Sequence, residues 1–178
     1  MSLVRFAAEN HPQQTGRRGA KAEIDDRATT PEMFAELYER FRFTVDVAAE
    51  AHNAKLLRYF TPEQNGLEQS WSGERVWCNP PYSDIRPWVE KARQESTRAQ
   101  LIVMLLPANR TEQAWWQELV EPYRDRRAWW RLTLRVEFLP GRIRFIRSGS
   151  IEVGPNERPP FGSCLLIWSN EPLREAIP

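Results

Sequence analysis

The chain has 178 residues, and its 25 Lys and Arg residues against 24 Asp and Glu residues give a formal net charge of +1. Hydrophobic residues make up 41% of the chain and charged residues 28%, which indicates a folded globular domain and not a disordered protein. The near-neutral total excludes binding to nucleic acid through bulk charge alone, although a local basic face stays possible.

The numbers of cysteine and histidine residues and the hydropathy of the chain exclude further classes of protein. Two Cys and two His residues are too few for a tetrahedral zinc site in paired spacing or for a disulfide scaffold. No apolar run approaches the roughly 20 residues of a membrane span, and the N-terminus lacks the apolar region of a signal peptide. We therefore expect a cytoplasmic protein with no metal site and no membrane partner.

The N-terminal part predicts a tail followed by a helix. Residues 1–28 contain few apolar residues and no hydrophobic period, so we expect a flexible tail ahead of one folded domain at 29–178. Thr30 is the expected helix N-cap and Pro31 the first helical residue, because Thr caps well and Pro fits the first turn. The β-branched run 43–47 then predicts a short strand.

The rest of the chain alternates between strand and helix patterns. Segment 54–60 fits a helix or a strand equally well. The further predicted elements are a strand at 75–78, a helix from Ser83 or Asp84, a strand at 101–106, a helix capped by Thr111, a strand at 132–138, a turn at 140–141, a hairpin arm at 143–146 and a last strand at 164–168. This order predicts an α/β fold with parallel central strands.

The segment Asn79-Pro80-Pro81-Tyr82 follows directly after the predicted strand at 75–78. The two prolines stiffen the turn and donate no backbone hydrogen bond, so the turn presents carbonyl acceptors. Asn79 adds an amide oxygen and Tyr82 a flat apolar ring. Two acceptors beside a ring suit a planar amino group, and open α/β sheets bind ligands at such strand ends. A rigid loop or a proline-rich peptide ligand is the structural alternative, but such a ligand belongs in an exposed, disordered region.

These features resemble the S-adenosylmethionine-dependent N6-adenine DNA methyltransferases, and more narrowly the phage and prophage-type DNA N-6-adenine methyltransferase family. The resemblance runs from about Thr30 to Trp168 and includes Asn53-Ala54-Lys55 besides the asparagine–proline–proline–tyrosine segment. It implies a compact Rossmann-like methyltransferase sheet, mostly parallel with an antiparallel C-terminal strand. It also implies a bacterial host or a phage-infected cell as the setting.

The resemblance assigns site residues as well. It makes Asn79, Pro80, Pro81 and Tyr82 the catalytic motif, and it implies S-adenosylmethionine as the methyl donor with no metal. The donor-binding residues that it implies are Thr30, Pro31, Asp46, Ala48 and Asn65. Asp46 also suits the donor by its chemistry, because a carboxylate at a strand end can bind an ammonium or a ribose diol. The alternative for Asp46 is a turn cap.

Residues 124–147 carry eight Arg against Asp125 and Glu137, a local charge of +6. Arg pairs well with phosphates and can reach base edges, so this segment predicts contact with DNA. The expected DNA-binding residues are Arg142 and Arg144, which follow a turn, and Arg126 and Arg127. A solvated strand face is the alternative explanation of the charge.

Two other functions stay open from the sequence. The loop 46–49 contains no glycine, which motivates a DNA-binding module that has lost its donor. A planar amino group other than adenine N6 could also be the acceptor: cytosine N4, RNA adenine or a protein glutamine.

Overall fold

The computed structural model describes residues 27–128, 131–132, 134–147, 150, 159 and 161–170. The greater part of the predicted tail, residues 1–26, lies outside the described residues. In chain order the elements are β1 Arg27–Thr29, α1 Pro31–Phe41, β2 Val45–Asp46, β3 Arg75–Cys78, α2 Arg86–Glu95, β4 Leu101–Pro107, α3 Ala114–Leu119, β5 Arg127–Ala128, β6 Arg131–Leu132, β7 Arg135–Phe138, β8 Phe145–Arg147 and β9 Ser163–Ser169.

Five strands form the main sheet in the order β2-β3-β4-β9-β7. The pairs β2–β3 and β3–β4 are parallel, whereas β9 runs antiparallel to both β4 and β7. Strand β7 therefore points the same way as β2, β3 and β4. The predicted α/β class and the antiparallel C-terminal strand are confirmed in this mixed sheet.

Alternating side chains of the buried strands supply two apolar clusters, one on each face of the sheet. Leu101, Val103 and Leu105 of β4 pack with α1 through Phe34 and Leu37. The neighbouring β4 residues point to the opposite face, where they join a cluster with side chains of α2 and α3. The sheet is thus buried between helices on both faces, which explains the continuous apolar run of β4.

The chain segments that follow β2 and β3 run in opposite directions across the sheet. After β2 the chain turns outward, and Tyr59 pairs in parallel with Asp46 at the outer edge of the sheet. After β3 the chain passes through α2 to β4 on the other side. A crevice opens at the carboxyl ends of two strands whose connections diverge in this way, and it is the usual ligand site of such sheets.

Several local predictions need correction. Helix α2 begins at Arg86 instead of Ser83 or Asp84, which keeps Pro87 in the first turn, where its missing N–H breaks no helical bond. The N-cap of α3 is Gln113 and not Thr111. Within the predicted strand 132–138, Leu132 belongs to β6, which pairs with β5, and β7 covers only Arg135–Phe138. The Leu134 carbonyl accepts a hydrogen bond from the Asp125 amide.

The predicted hairpin at 143–146 is also wrong, because this segment pairs with a different strand. Strand β8 pairs antiparallel with β1 at the start of the described chain, with Phe145 opposite Thr29. It does not pair with β7, whose neighbour in the sheet is β9. Among the described residues, no helix is both long enough and apolar enough to cross a membrane.

Candidate functional site

A cavity of about 300 Å³ lies at the carboxyl ends of β2 and β3, in the crevice where the chain connections diverge. Its wall combines charged, polar and apolar groups from four separate segments of the chain. The polar residues and the proline that matter for chemistry here are Thr29, Asp46, Lys55, Asn65, Asn79 and Pro81. The crevice therefore gathers several of the residues that the sequence predicted for the site.

The turn after β3 presents the predicted catalytic motif to this cavity. Asn79 is half-buried and lines the wall together with Pro81, and Pro80 between them in the chain is buried. The Pro81 carbonyl accepts a hydrogen bond of 3.3 Å from the Asp84 amide, which closes the turn before α2. Because β3 is flanked by β2 and β4, the position of Asn79 is fixed by the centre of the parallel sheet.

Tyr82 has a different environment from the other three residues of the motif. Its ring makes edge-on contacts with Phe145 and Phe161, each at a centroid distance of 6.2 Å. The ring thus packs between β8 and the segment before β9 and does not form part of the cavity wall. The predicted catalytic role of Tyr82 stays a prediction.

Asp46 ends β2 with its side chain only 3% exposed. Its carboxylate accepts backbone hydrogen bonds from Ala48 at 3.4 Å and from Lys55 at 3.1 Å. Burial disfavours the charged form more than these bonds favour it, and it raises the pKa of Asp46 to about 6. The carboxylate is therefore held rigidly at the cavity and would gain from a cationic ligand.

Lys55 lines the cavity as well, although the sequence pattern predicted no role for its side chain. Its backbone amide donates a hydrogen bond to the Asp46 carboxylate. Its ammonium group is half-buried, and the resulting desolvation lowers the pKa of Lys55. The negative charge of Asp46 partly offsets this effect. The segment 54–60 is ambiguous in its sequence pattern, and only its pairing with β2 brings Lys55 to the site. The Asn53-Ala54-Lys55 element of the family resemblance was the available signal.

The loop after β2 forms a close-packed wall without a glycine of its own. Ala48 lines the cavity, and the described residues with positive φ other than glycine are Arg42, Asn65 and Asp125, none of which lies in the loop 46–49. The glycine that allows close approach comes from another segment. A Cβ atom at Gly66 would collide with the carbonyl oxygen of Val47.

Thr29 lines the cavity in place of the predicted Thr30 and Pro31. The Thr30 hydroxyl accepts a hydrogen bond from the Met33 amide at 3.4 Å, so it caps α1 as predicted, and Pro31 follows as an exposed first helical residue. The hydroxyl of Thr29 is buried and has no hydrogen-bond partner among the described residues. An unsatisfied buried hydroxyl in a cavity wall is a position for a ligand contact.

Asn65 lines the far side of the cavity in a left-handed conformation with φ 50°. Its amide oxygen accepts a hydrogen bond from the Leu67 backbone, and its amide nitrogen donates to Glu68. The side chain thus holds the turn that delivers Gly66 to Val47.

The predicted DNA-binding arginines fall into two places. Arg142 and Arg144 are exposed and precede Phe145, which touches the Tyr82 ring. Arg126 is also exposed, but it lies in a different place. The amide of the preceding residue, Asp125, donates a hydrogen bond to the carbonyl of Leu134, just before the amino end of β7. This end of the sheet lies opposite to the strand ends that carry the cavity. The side chain of Arg127 lies outside the described part of the structure.

Together, the sheet and its crevice define an α/β protein with a ligand cavity at the carboxyl ends of its parallel strands. The cavity holds a carboxylate, an ammonium group and a rigid amide-bearing turn. No group of three or more Asp, Glu, His or Cys residues that could hold a metal ion is present among the described residues. The cavity wall offers both polar and apolar contacts.

The chain belongs to the DNA N-6-adenine-methyltransferase (Dam) family, whose sequence model matches residues 17–176. It is 42% identical over 74 residues to a DNA N-6-adenine-methyltransferase of Haemophilus phage HP1 (strain HP1c1), a match that covers 41% of this chain and 43% of the phage protein. It is 35% identical over 98 residues to a DNA N-6-adenine-methyltransferase of Escherichia phage T1, covering 53% of this chain and 41% of that protein. The chain thus matches less than half the length of these relatives.

Proposed function

We propose that this protein transfers a methyl group from S-adenosylmethionine to N6 of adenine in DNA. The observation that carries the proposal is the position of Asn79 and Pro81 in the same cavity as Asp46, at adjacent strand ends. Family membership supports the same reaction. A Rossmann-like interpretation of the sheet agrees with the parallel order β2-β3-β4 and with helices on both faces.

The residues present fit the donor. Its α-ammonium group matches the carboxylate of Asp46, and its hydroxyl or carboxylate oxygens can satisfy the buried Thr29 hydroxyl. The cavity volume of about 300 Å³ lies at the lower end of the range for small-molecule sites. Phe60 and Trp88 add apolar wall for an aromatic base. When bound, S-adenosylmethionine supplies an electrophilic methyl group on a positively charged sulfur.

Asn79 and Pro80 supply the acceptors for the amino group that is methylated. The lone pair of an exocyclic amine is delocalised into the base, so the amine is a weak nucleophile. If the Asn79 side-chain oxygen and the Pro80 carbonyl each accept one N–H, the nitrogen becomes more tetrahedral and its lone pair localises. The same two oxygens stabilise the positive charge that develops on nitrogen, and the proton then leaves to water because Asn79 is not a base.

The rigidity of this turn is the chain's main contribution to the step. The acceptors are held by β3 and by two prolines, so little reorganisation is needed when the amino group becomes cationic. The adenine must leave the stack of a duplex to reach them, and it is most easily extruded from single-stranded or mismatched DNA. We propose DNA as the partner and the cytoplasm of a bacterial or phage-infected cell as the setting.

Incubation of the full chain with methyl-labelled S-adenosylmethionine and mixed-sequence DNA, followed by digestion to nucleosides, tests the proposal. We expect label in N6-methyldeoxyadenosine. Asn79→Ala should lower the rate by about 10² or more, because one of two charge-stabilising acceptors is removed. Gln100→Ala is the matched control, since it removes an exposed amide just before the amino end of β4, whereas the cavity lies at the carboxyl ends of β2 and β3.

The same experiment separates the alternatives. Label in cytosine, or in RNA instead of DNA, would show that the protein transfers methyl groups by the same chemistry to a different acceptor. A folded wild-type protein that shows no heat on titration with S-adenosylmethionine but still binds DNA would indicate a module that has lost its donor. A folded Asn79→Ala variant with unchanged rate would contradict the assigned role of the turn.

A further inference from the structure

The cavity is lined by two acidic side chains, the buried Asp46 and the half-exposed Glu50, and by the cationic side chain of Lys55. The Lys55 amide donates to Asp46 Oδ2 at 3.1 Å, so the two residues are joined through the backbone and both side chains line the wall. Among the described residues that line the cavity, Lys55 alone has a cationic side chain. A buried carboxylate and a half-buried ammonium group in the same cavity suit a zwitterion.

The ammonium group of Lys55 has no direct counterion within the described part of the chain. No hydrogen bond or ion pair of its side chain is found there, and Asp46 acts on it only at longer range. The nearby carboxylate of Glu50 lies within 3.6 Å of His52 and is half exposed. A half-buried ammonium without an ion-pair partner is unfavourable, and an anionic ligand group would relieve this cost.

The proposed methyl donor ends in an amino acid, which carries an ammonium and a carboxylate on the same carbon. Asp46 can take the ammonium group, because a carboxylate at this strand end is preorganised by two backbone amides. The carboxylate of the ligand then needs a cation nearby, and the exposed arginines of 142–144 do not line the cavity. Lys55 meets this requirement.

We propose that Lys55 binds the α-carboxylate of the methyl donor and so selects donors that carry it. The inference rests on the proposed function, because it assumes S-adenosylmethionine as the ligand of this cavity. Asp46 and Lys55 together recognise the two charges of the amino-acid end, whereas Asn79 and Pro81 face the reacting end. Lys55 is thus a specificity-determining residue and takes no part in the transfer itself.

Calorimetric titration of the full chain with S-adenosylmethionine and with its decarboxylated form tests the assignment without turnover. The wild type should bind the carboxylate-bearing ligand at least about 10-fold more tightly, because the decarboxylated form cannot accept the charge-assisted hydrogen bond. Lys55→Met should abolish this preference by weakening only the first ligand, and Lys55→Arg should retain most of it. Arg98→Met is the charge-matched control, since Arg98 is exposed beyond α2.

Each other outcome overturns the inference. Equal weakening of both ligands by Lys55→Met would assign Lys55 a merely structural role. Unchanged ligand affinity with weaker DNA binding would assign it to the DNA surface. Wild-type binding of both ligands with equal affinity would refute carboxylate selection and leave the proposed function standing, whereas no binding of either ligand would overturn both.

Discussion

At the scale of single residues, folding strongly alters the environment of Asp46. Its carboxylate is buried at the end of β2, and two backbone amides do not fully offset the loss of water. The resulting pKa of about 6 lies above the ordinary value of 3.8. Near neutral pH the protein therefore holds a carboxylate that favours a cationic ligand and that takes up a proton under mildly acidic conditions.

This burial predicts a pH-dependent affinity for the donor. A ligand ammonium group binds the ionised form of Asp46, so affinity should rise as pH increases through about 6 and level off above 7. S-adenosylhomocysteine, which carries the same amino-acid end, should bind about 10-fold more weakly at pH 5 than at pH 7.5, as measured by calorimetry.

Other groups near the cavity have to be separated from this effect. His52 lies within 3.6 Å of the carboxylate of Glu50, which lines the cavity, so His52→Gln serves as the control and should keep the pH dependence. Burial raises the pKa of Cys78 well above its ordinary value, which removes this thiol from the range tested. An Asp46→Asn variant that kept the full pH dependence would refute the assignment.

At the scale of elements, the cavity depends on a contact between two loops. The turn at Asn65 brings Gly66 against the Val47 backbone, and the Trp71 indole donates a hydrogen bond of 3.0 Å to the Gly66 carbonyl. Trp71 is fully buried in the cluster beneath α2, so the turn is anchored in the core. The loop that follows β2 and forms part of the cavity wall thus packs against Gly66, a residue distant in sequence.

Gly66→Ala should destabilise the protein by about 1–3 kcal/mol, because a Cβ atom there would overlap the carbonyl oxygen of Val47. Donor affinity should fall together with stability, since the displaced loop carries Ala48 of the cavity wall. Urea unfolding and calorimetry measure the two effects. Gly162→Ala is the matched control, since its nearest new neighbour is at an ordinary 3.9 Å; equal unfolding free energies for both variants would contradict the argument.

The sequence predicted those parts of the fold that depend on short stretches of chain. The strand at 75–78 and its Asn79 turn follow from an apolar run that ends in two prolines, and both lie where they were expected. Lys55 and Thr29 could not be assigned in this way. Each reaches the cavity only through a long-range pairing, of the segment 54–60 with β2 and of β1 with β8. The roles of the predicted site residues remain predictions.

At the scale of the whole molecule, the near-zero net charge hides an uneven distribution. Arg142 and Arg144 project from the segment that leads into β8, and β8 touches Tyr82 through Phe145. Arg126 extends from the end of the sheet that lies away from the cavity. A DNA strand that approaches the Asn79 turn would therefore meet the first two arginines before the third.

Replacement of Arg142 or Arg144 by Ala should weaken DNA binding and reduce the slope of log affinity against log salt by about 1 for each phosphate that is no longer neutralised. Arg126→Ala should change this slope less, because its position is remote from the turn. Fluorescence anisotropy over a series of salt concentrations measures both effects. A larger decrease of the salt slope for Arg126→Ala would contradict this arrangement and place the DNA at the opposite end of the sheet. Donor affinity should be unaffected in all three variants.

The β1–β8 ribbon has a consequence for how such a protein can diversify. Thr29 on one strand lines the cavity, while Arg142 and Arg144, just ahead of the other strand, are exposed. Under the proposed function, we therefore expect substitutions in the stretch 141–144 to change which nucleotides are favoured without disturbing the cavity. A single ribbon of this kind would let target preference drift while the chemistry stays constant.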